Sequence, residues 1–500
     1  MLLNFKFILP EIFLIISIFS LSFYGIYYST LKTDQINFPI LNMEFYFYVM
    51  LVLILYFFLQ SSFDLLNILL FSHSLKITLG SYLLKKINIL ILLTVLFISY
   101  NYFKYEQYNH FEYFLLYLFL MLSIVLLLYA NDFITLYLSI EFQNFIFYIL
   151  LAYNRKSKPA IESAIKYFIL ASFMSIVMIY GISLIYGITG SFNFNDIKVF
   201  FIIFQQYSSL IYEFNTIMYI YIFIAILFIL MLFFFKLTIA PFYFWALDVY
   251  EGVSIVNLML FMIISKFIFL ILLIKLVYIS FFKIFYIYQN LFFILALLSI
   301  FIGAIGGISE TNIRKIFAYS SINHIGFILL SLSTGTFEGV QIAFFYFFIY
   351  ILMSFLFFII FISNKKKLEN RYVEYITDFK DYQKNNKILA YIFAILLFSL
   401  SGIPPLLGFW SKFFVLVEIS KLNLYTLLII LLALNMLNVY YYLRFVKIMF
   451  FDFNNKWNIV STIDYYKAFF ALNLVIILIF GAYFLDIFLN YSYKILINLF

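Results

Sequence analysis

Long apolar stretches alternate with short polar ones along almost the whole chain. Fifteen stretches read as membrane segments: 8–28, 44–61, 62–80, 88–104, 112–130, 132–152, 162–187, 217–250, 253–278, 287–307, 312–332, 338–362, 385–418, 424–447 and 466–490. A helix needs roughly 20 apolar residues to cross a bilayer, and most of these stretches have them. The second and third stretches, 44–61 and 62–80, fit worst, since 62–80 carries Asp64, His73 and Lys76. If one of those is not a span the count is fourteen, so the pattern predicts an all-α polytopic membrane protein with about 14 transmembrane helices.

Two stretches are broken from within. The first runs through Lys236 and Pro241 to Asp248; the second holds Gly402, Pro404, Pro405 and Gly408 and continues through Lys412. An interior proline removes one helical hydrogen bond and clashes with the preceding turn. Broken backbone at membrane depth is tolerated only where it is buried in protein or lines a water-filled cavity. Paired interruptions in two halves of a transporter mark its transport route. Pro241 and Pro405 are 164 residues apart, the length of about five spans. A repeat with an odd number of helices inserts in the opposite sense, so the spacing predicts two inverted five-helix repeats, each with a proline-broken helix. The expected division is N-terminal helices over 1–110, a first repeat over 111–280, a second over 281–450 and a C-terminal helix over 451–500.

Charge adds an orientation. Arg155, Lys156 and Lys158 share one loop, Arg314 and Lys315 another, and Lys365, Lys366, Lys367, Arg371, Lys380, Lys384 and Lys387 a third, with Lys447, Lys456 and Lys467 in or beside a fourth. These loops alternate with poorly charged ones such as 188–197 and 331–337. The positive-inside rule puts the basic loops on the matrix or cytoplasmic side and the C-terminus on the other.

Composition narrows the class. Of 500 residues 66% are hydrophobic and 11% charged, against about 25% charged in an ordinary soluble domain, which excludes soluble enzymes, nucleic-acid modules and secreted domains. The net charge of +8 is spread over loops and points to no nucleic-acid partner. With no cysteine and three scattered histidines (His73, His110, His324), thiolate metal sites and iron–sulfur clusters have no ligands, and neither a bound cofactor nor a metal is expected. No dinucleotide or phosphate-binding glycine motif occurs; Gly303, Gly306 and Gly307 suit close helix packing. The 72 Phe and 45 Tyr, with abundant Ile, Asn and Lys, are read from A+T-rich codons and suggest an organelle genome. The start goes straight into an apolar stretch and lacks the Arg- and Ser-rich character of a transit peptide.

Against this apolar background a few ionisable residues stand inside spans: Glu141, Lys236, Lys266, His324 and Lys412. Each is costly at membrane depth unless hydrated or paired, and together they suit a proton relay. Plainer readings exist for single members: Glu141 as half of a buried ion pair, Lys236 as an anchor reaching the interface, His324 as a packing residue. Lys275, Lys283, Glu418 and Lys421 lie near span ends and are expected to be interface residues.

The motifs around these residues resemble a known family. FKLTIAPFYFWALDVYEG (235–252), AYSSINHIGF (318–327), SLSGIPPLLGFWSKF (399–413), ESAIKYFILASFMSIVMIYGISLIYGITGS (162–191) and NVYYYLRFVKIMFF (438–451) are similar to segments of the antiporter-like membrane subunits of respiratory complex I, of the subunit 2 type. The match covers roughly 110–450. The resemblance implies a Glu141–Lys236 pair near the first broken helix, Lys266 as the link to the centre, and His324 and Lys412 as the continuation. It implies redox chemistry in partner subunits, with other membrane-arm subunits and lipids as this chain's partners, in a mitochondrial inner membrane. A subunit of a cation/proton antiporter is the alternative, and a membrane scaffold with relict charges a third. The family usually has His where this chain has Tyr243, Pro where it has Leu247, and a proline-rich stretch where it has Val253, Ser254, Ile255 and Val256.

Overall fold

A computed structural model describes residues 2–30, 40–60, 67–106, 110–154, 157–207, 212–366, 371–452 and 463–499. Asp64, Arg155, Lys156, Lys367 and Lys456 lie outside the described residues. In chain order the elements are α1 (Leu2–Thr30), α2 (Ile40–Leu59), β1 (Asn67–Leu70), β2 (Leu75–Thr78), α3 (Leu79–Tyr105), α4 (Phe111–Tyr129), α5 (Phe133–Ala152), α6 (Lys158–Thr189), α7 (Phe194–Tyr207), α8 (Tyr212–Lys236), α9 (Phe244–Gly252), α10 (Ile255–Met259), α11 (Lys266–Lys275), α12 (Phe285–Ser309), α13 (Ile313–Leu332), α14 (Phe337–Ser363), β3 (Lys365–Lys366), β4 (Arg371–Tyr372), α15 (Tyr382–Asn385), α16 (Lys387–Ser401), α17 (Leu407–Lys421), α18 (Tyr425–Phe451), α19 (Tyr465–Phe480) and α20 (Leu485–Ile497).

Among the described residues twelve helical segments are long and apolar enough to cross a membrane, and Glu44–Leu59 and Lys387–Ser401 are shorter apolar helices. The chain is a multi-pass helical membrane protein. The stretch expected as a span at 62–80 is not one. Its described part is an antiparallel hairpin, β1 with β2, in register Asn67 with Thr78 through Leu70 with Leu75. Phe71, Ser72 and His73 turn it with positive φ angles. Thr78 then starts α3 through a capping box, its hydroxyl accepting from Ser81 N and its own N–H donating to Ser81 Oγ. Of the polar residues that weakened this stretch as a span, His73 lies in the turn and Lys76 in β2.

The chain divides into two compact units. The first comprises Met1–Phe233, Met259–Lys283 and Lys494–Phe500. Here α4 packs against α1, α2, α3, α5 and α11; Tyr113, Phe114, Tyr117 and Met121 are fully enclosed. A bridge from Leu75 to Ala130, just past the end of α4, ties one end of the hairpin edge to it. The outward faces, such as Phe168, Phe173 and Ile176 of α6, are apolar and exposed, as a lipid-facing surface requires.

The second unit comprises Phe234–Leu258 and Ile284–Tyr493. Its most enclosed spans are α13 and α14, in each of which 89% of the residues of the most apolar 18-residue window are buried. Helices α12 and α13 lie close because Gly303 gives way to Asn323 and Gly306 to the Tyr319 ring, the packing expected of that glycine group. Both broken stretches occur as expected. Helix α8 ends at Lys236 and α9 resumes at Phe244; α16 ends at Ser401 and α17 starts at Leu407. Gly402 closes α16 in the left-handed conformation, φ 83°, its N–H donating to the carbonyls of Phe398 and Ser399.

Candidate functional site

Breaking a helix inside a membrane strands its last carbonyls. At the second break Lys412 takes them. Its ammonium, on a side chain 4% exposed, donates to Leu400 O at 3.0 Å, Ser401 O at 2.9 Å and Asn435 Oδ1 at 2.8 Å. Three donors meet three acceptors, and the cation sits at the negative end of the α16 dipole. The Phe327 ring lies beside it, 5.6 Å from Nζ. Two glycines make room. A Cβ on Gly402 would lie 2.9 Å from Lys412 Cδ, and one on Gly408 would run into the Ser399 carbonyl.

The first break is built differently. Lys236 is the last residue of α8 and 2% exposed. The stranded Phe235 carbonyl accepts from Thr238 N at 3.1 Å and from the Trp245 indole N–H at 3.1 Å, while the Trp245 ring stacks on Phe235 at 4.9 Å. This gives the tryptophan of PFYFW a structural task. Tyr243, where the family has histidine, stacks on Phe244 at 4.3 Å. The far end of α9 is held by α13: Arg314 donates to Glu251 O at 2.7 Å and Val253 O at 2.9 Å, Asn312 to Glu251 Oε1 at 3.0 Å, and Lys315 pairs with Glu251 at 2.8 Å.

His324 lies mid-way along α13, 1% exposed, its Nδ1 2.8 Å from the Tyr346 hydroxyl and its ring 5.5 Å from Tyr350. One helical turn on, Phe327 faces Lys412. The second unit therefore brings Lys412 against α13 one helical turn from His324.

Glu141 and Lys266 belong to the first unit. Glu141 is half-buried on α5, with Asn144 donating to its Oε1 at 3.3 Å. Lys266 is completely buried at the start of α11, directly after the π-helical turn Leu260–Ser265; such turns in membrane-length helices recur at functional positions.

Sequence reasoning missed three polar sites. Lys275, expected at the interface, is 9% exposed and donates to Ala130 O at 2.5 Å and Leu128 O at 3.3 Å, at the C-terminal end of α4. Lys85 on α3, 1% exposed, pairs with Glu11 on α1 at 2.6 Å; Tyr129 also donates to Glu11, at 3.1 Å, and the rings of Tyr56, Tyr82 and Tyr129 surround the ammonium at 5.3–5.5 Å. Glu418 is 3% exposed; it pairs with Lys421 at 2.5 Å, and Lys421 also reaches Glu338. Those two carboxylates hold the Lys421 ammonium above the usual lysine range. Lys85 and Lys275 were legible only as charges near apolar stretches, and their partners, Glu11 and two backbone carbonyls, lie on other helices.

Residues 130–437 match the family described as "NADH:quinone oxidoreductase/Mrp antiporter, TM". The chain is 34% identical over 465 residues to NADH-ubiquinone oxidoreductase chain 2 of Marchantia polymorpha, covering 93% of this chain and 92% of that one. The chain belongs to the chain 2 family of NADH:quinone oxidoreductase, the antiporter-like subunits. A bacterial member, NADH-quinone oxidoreductase subunit N of Pelagibacter ubique, is 33% identical over 449 residues, 90% of each chain. Among solved structures, a chain of respiratory complex I from Thermus thermophilus with bound aureothin shares the fold at TM-score 0.73 and 20% identity, covering 96% of this chain and 98% of that one. A chain of the Mrp complex from Dietzia shares it at TM-score 0.79 and 16% identity, covering 99% and 98%.

Proposed function

We infer that this chain is the proton-translocating chain 2 subunit of the membrane arm of NADH:ubiquinone oxidoreductase. It lies in a mitochondrial inner membrane, is encoded by the organelle, and is surrounded by other membrane-arm subunits and lipid. NADH oxidation and quinone reduction belong to partner subunits; this chain holds no redox centre, cofactor or metal and binds no nucleic acid. Its part is to move protons through Glu141, Lys236, Lys266, His324 and Lys412, with the breaks at Pro241 and at Pro404 and Pro405 supplying the polar backbone that such residues need.

The observation that carries this reading is the setting of Lys412. An ammonium held by three neutral acceptors, with no carboxylate among them, is kept charged by those hydrogen bonds and the negative end of the α16 dipole. Such a group can release its proton when a neighbour becomes positive and recover it when that charge leaves. His324, one helical turn from the Phe327 that lines the cage, is a neighbour able to do so.

The test is proton uptake driven by NADH in vesicles holding the assembled complex. Lys412→Met is expected to assemble and to lose coupled proton movement; movement at the wild-type rate would overturn the reading. A subunit of a cation/proton antiporter is the second reading, favoured by the likeness to the Mrp chain. Similarity along nearly the whole length to chain 2 sequences favours the first. Copurification with flavin- and iron–sulfur-containing subunits separates the two.

A further inference from the structure

The motif NVYYYLR of α18 has no part in the relay described above, yet its polar residues converge on α12 and α13. A narrow cleft opens on the second unit beside the basic loops, where Asn312 bridges to Tyr375. Its lining includes Glu310, Ile313, Phe317, Tyr441, Tyr442 and Arg444. Arg444 caps α12 by donating to Ile308 O at 2.8 Å, which leaves Glu310, half-buried at the end of the same helix, as the carboxylate at the mouth.

Inward from the mouth the cleft reaches Tyr441 and Tyr442, 3% and 1% exposed, with rings 4.3 Å apart. Gly307 allows this, because a Cβ there would sit 3.0 Å from the Tyr441 ring. The hydroxyls of Tyr441 and Tyr442 are buried without a hydrogen-bond partner; Tyr442 neighbours Ser320 on α13. It also lies within electrostatic reach of Tyr346 and Tyr350, and Tyr346 is the hydroxyl bonded to His324. Hydroxyl-bearing side chains thus run from the cleft to His324.

A second, independent observation concerns two amides. Asn438 lies three and four residues before the tyrosines, on their face of α18. Asn323 follows Ser320 on α13 and packs against Gly303, one turn from Gly307. Both are 0% exposed, and neither the oxygen nor the nitrogen of either amide has a hydrogen-bond partner. A buried amide left in that condition costs about 1–3 kcal/mol, and native proteins meet such a demand with water. Two such amides at one three-helix crossing mark it as a place where water belongs.

We propose that this crossing of α12, α13 and α18 is the proton-access route of the second unit: Glu310 collects protons from the basic face, and water held by Asn438 and Asn323, with Tyr441, Tyr442, Ser320 and Tyr346, passes them to His324. Each transfer moves one proton from a donor to the next oxygen or nitrogen while a second proton leaves the far side of that group, so every hydroxyl ends as it began. The proposal rests on the proton-translocating reading above.

The experiment uses the intact complex in vesicles and compares Tyr442→Phe, Asn438→Leu and Lys412→Met for assembly and for proton uptake driven by NADH. Tyr442→Phe keeps the ring and removes the hydroxyl; Asn438→Leu replaces the amide with an apolar side chain of similar length. Both are expected to assemble and to slow proton uptake about tenfold or more. Wild-type uptake in assembled Tyr442→Phe overturns the route, whether or not Asn438→Leu assembles. If Lys412→Met blocks uptake while Tyr442→Phe does not, the route fails alone. If Lys412→Met also pumps normally, the functional reading itself fails. The absence of cysteine from this chain allows a second measurement that does not depend on activity. The thiol of Ser320→Cys is expected to react with a small water-soluble methanethiosulfonate added on the basic-loop side. A thiol that stays unmodified shows that water does not reach the crossing, and overturns the route.

Discussion

Phe327 touches the surroundings of two buried ionisable groups of the second unit: its ring lies 5.6 Å from the Lys412 ammonium, and its position on α13 is three residues beyond His324. One helix thus presents the His324 imidazole and one wall of the Lys412 cage. A shift of α13 by a fraction of a turn alters both.

The first prediction follows from the cage. Lys412→Met removes the donor from Leu400 O, Ser401 O and Asn435 Oδ1 and should abolish coupled proton uptake. Lys412→Arg keeps the charge but scarcely releases a proton, so it should not restore uptake. Asn435→Ala removes one neutral acceptor and costs the bound ammonium about 1.5–3 kcal/mol, so uptake should persist with an altered pH profile. Full uptake in Lys412→Arg would mean that a fixed charge suffices at this position.

A second prediction concerns the joint between α16 and α17. The Cβ of Gly408→Ala has nowhere to go but into the Ser399 carbonyl. Backbone cannot swing aside as a flexible side chain does, so the two half-helices must separate. The expected destabilisation is about 1–3 kcal/mol, seen as less assembled complex or a lower melting temperature. Gly187→Ala, at a glycine with nothing within 4 Å, is the control and should be silent.

Much of this was legible beforehand because membrane helices announce themselves by length and because proline marks a break wherever it falls. Pro241, Pro404 and Pro405 located both interruptions, and Lys236 and Lys412 were recognisable beside them. The stretch 62–80 failed for a physical reason: a run of apolar residues cannot be told from a hairpin when its turn residues are ordinary ones, and His73 and Ser72 adopt positive φ without glycine. Partners were the least legible part. Asn435 lies 23 residues from Lys412 in sequence, and Lys85 meets Glu11 across 74; no local pattern records such distances. Lys275 read as an interface residue because the carbonyls it serves belong to the backbone of α4, and backbone acceptors leave no trace in the residue sequence.

Asp132, in the loop before α5, gives a prediction about pH. Burial raises its carboxyl above the usual aspartate range, the nearby Asp196 adds to this, and His73 opposes it. A carboxyl raised in the folded state is ionised at a cost at neutral pH. Its favourable contribution is present below the unfolded aspartate value and is lost as pH rises through the raised one. Asp132→Asn is therefore expected to melt at the same temperature as the parent or above it at pH 7, with the difference shrinking on acidification. A lower melting temperature for Asp132→Asn at pH 7 would show that the ionised carboxylate is favourable there.

The last prediction concerns Glu11 and Lys85, which meet at 2.6 Å between α1 and α3. Lys85 is 1% exposed and Glu11 17%. Two charges in such a place gain from each other chiefly because each, alone, would be intolerable. Lys85→Met leaves the Glu11 carboxylate without a cation, still accepting from the Tyr129 hydroxyl, and should cost about 3–5 kcal/mol. Glu11→Gln leaves the ammonium facing three tyrosine rings, which a cation tolerates better than an anion does, so it should cost less than Lys85→Met. The double variant removes both charges and should recover most of the loss, because a neutral pair of similar volume is close to neutral in stability. Melting temperatures of the three variants form a double-mutant cycle. Losses that simply add in the double variant would show that the two side chains do not act as a pair.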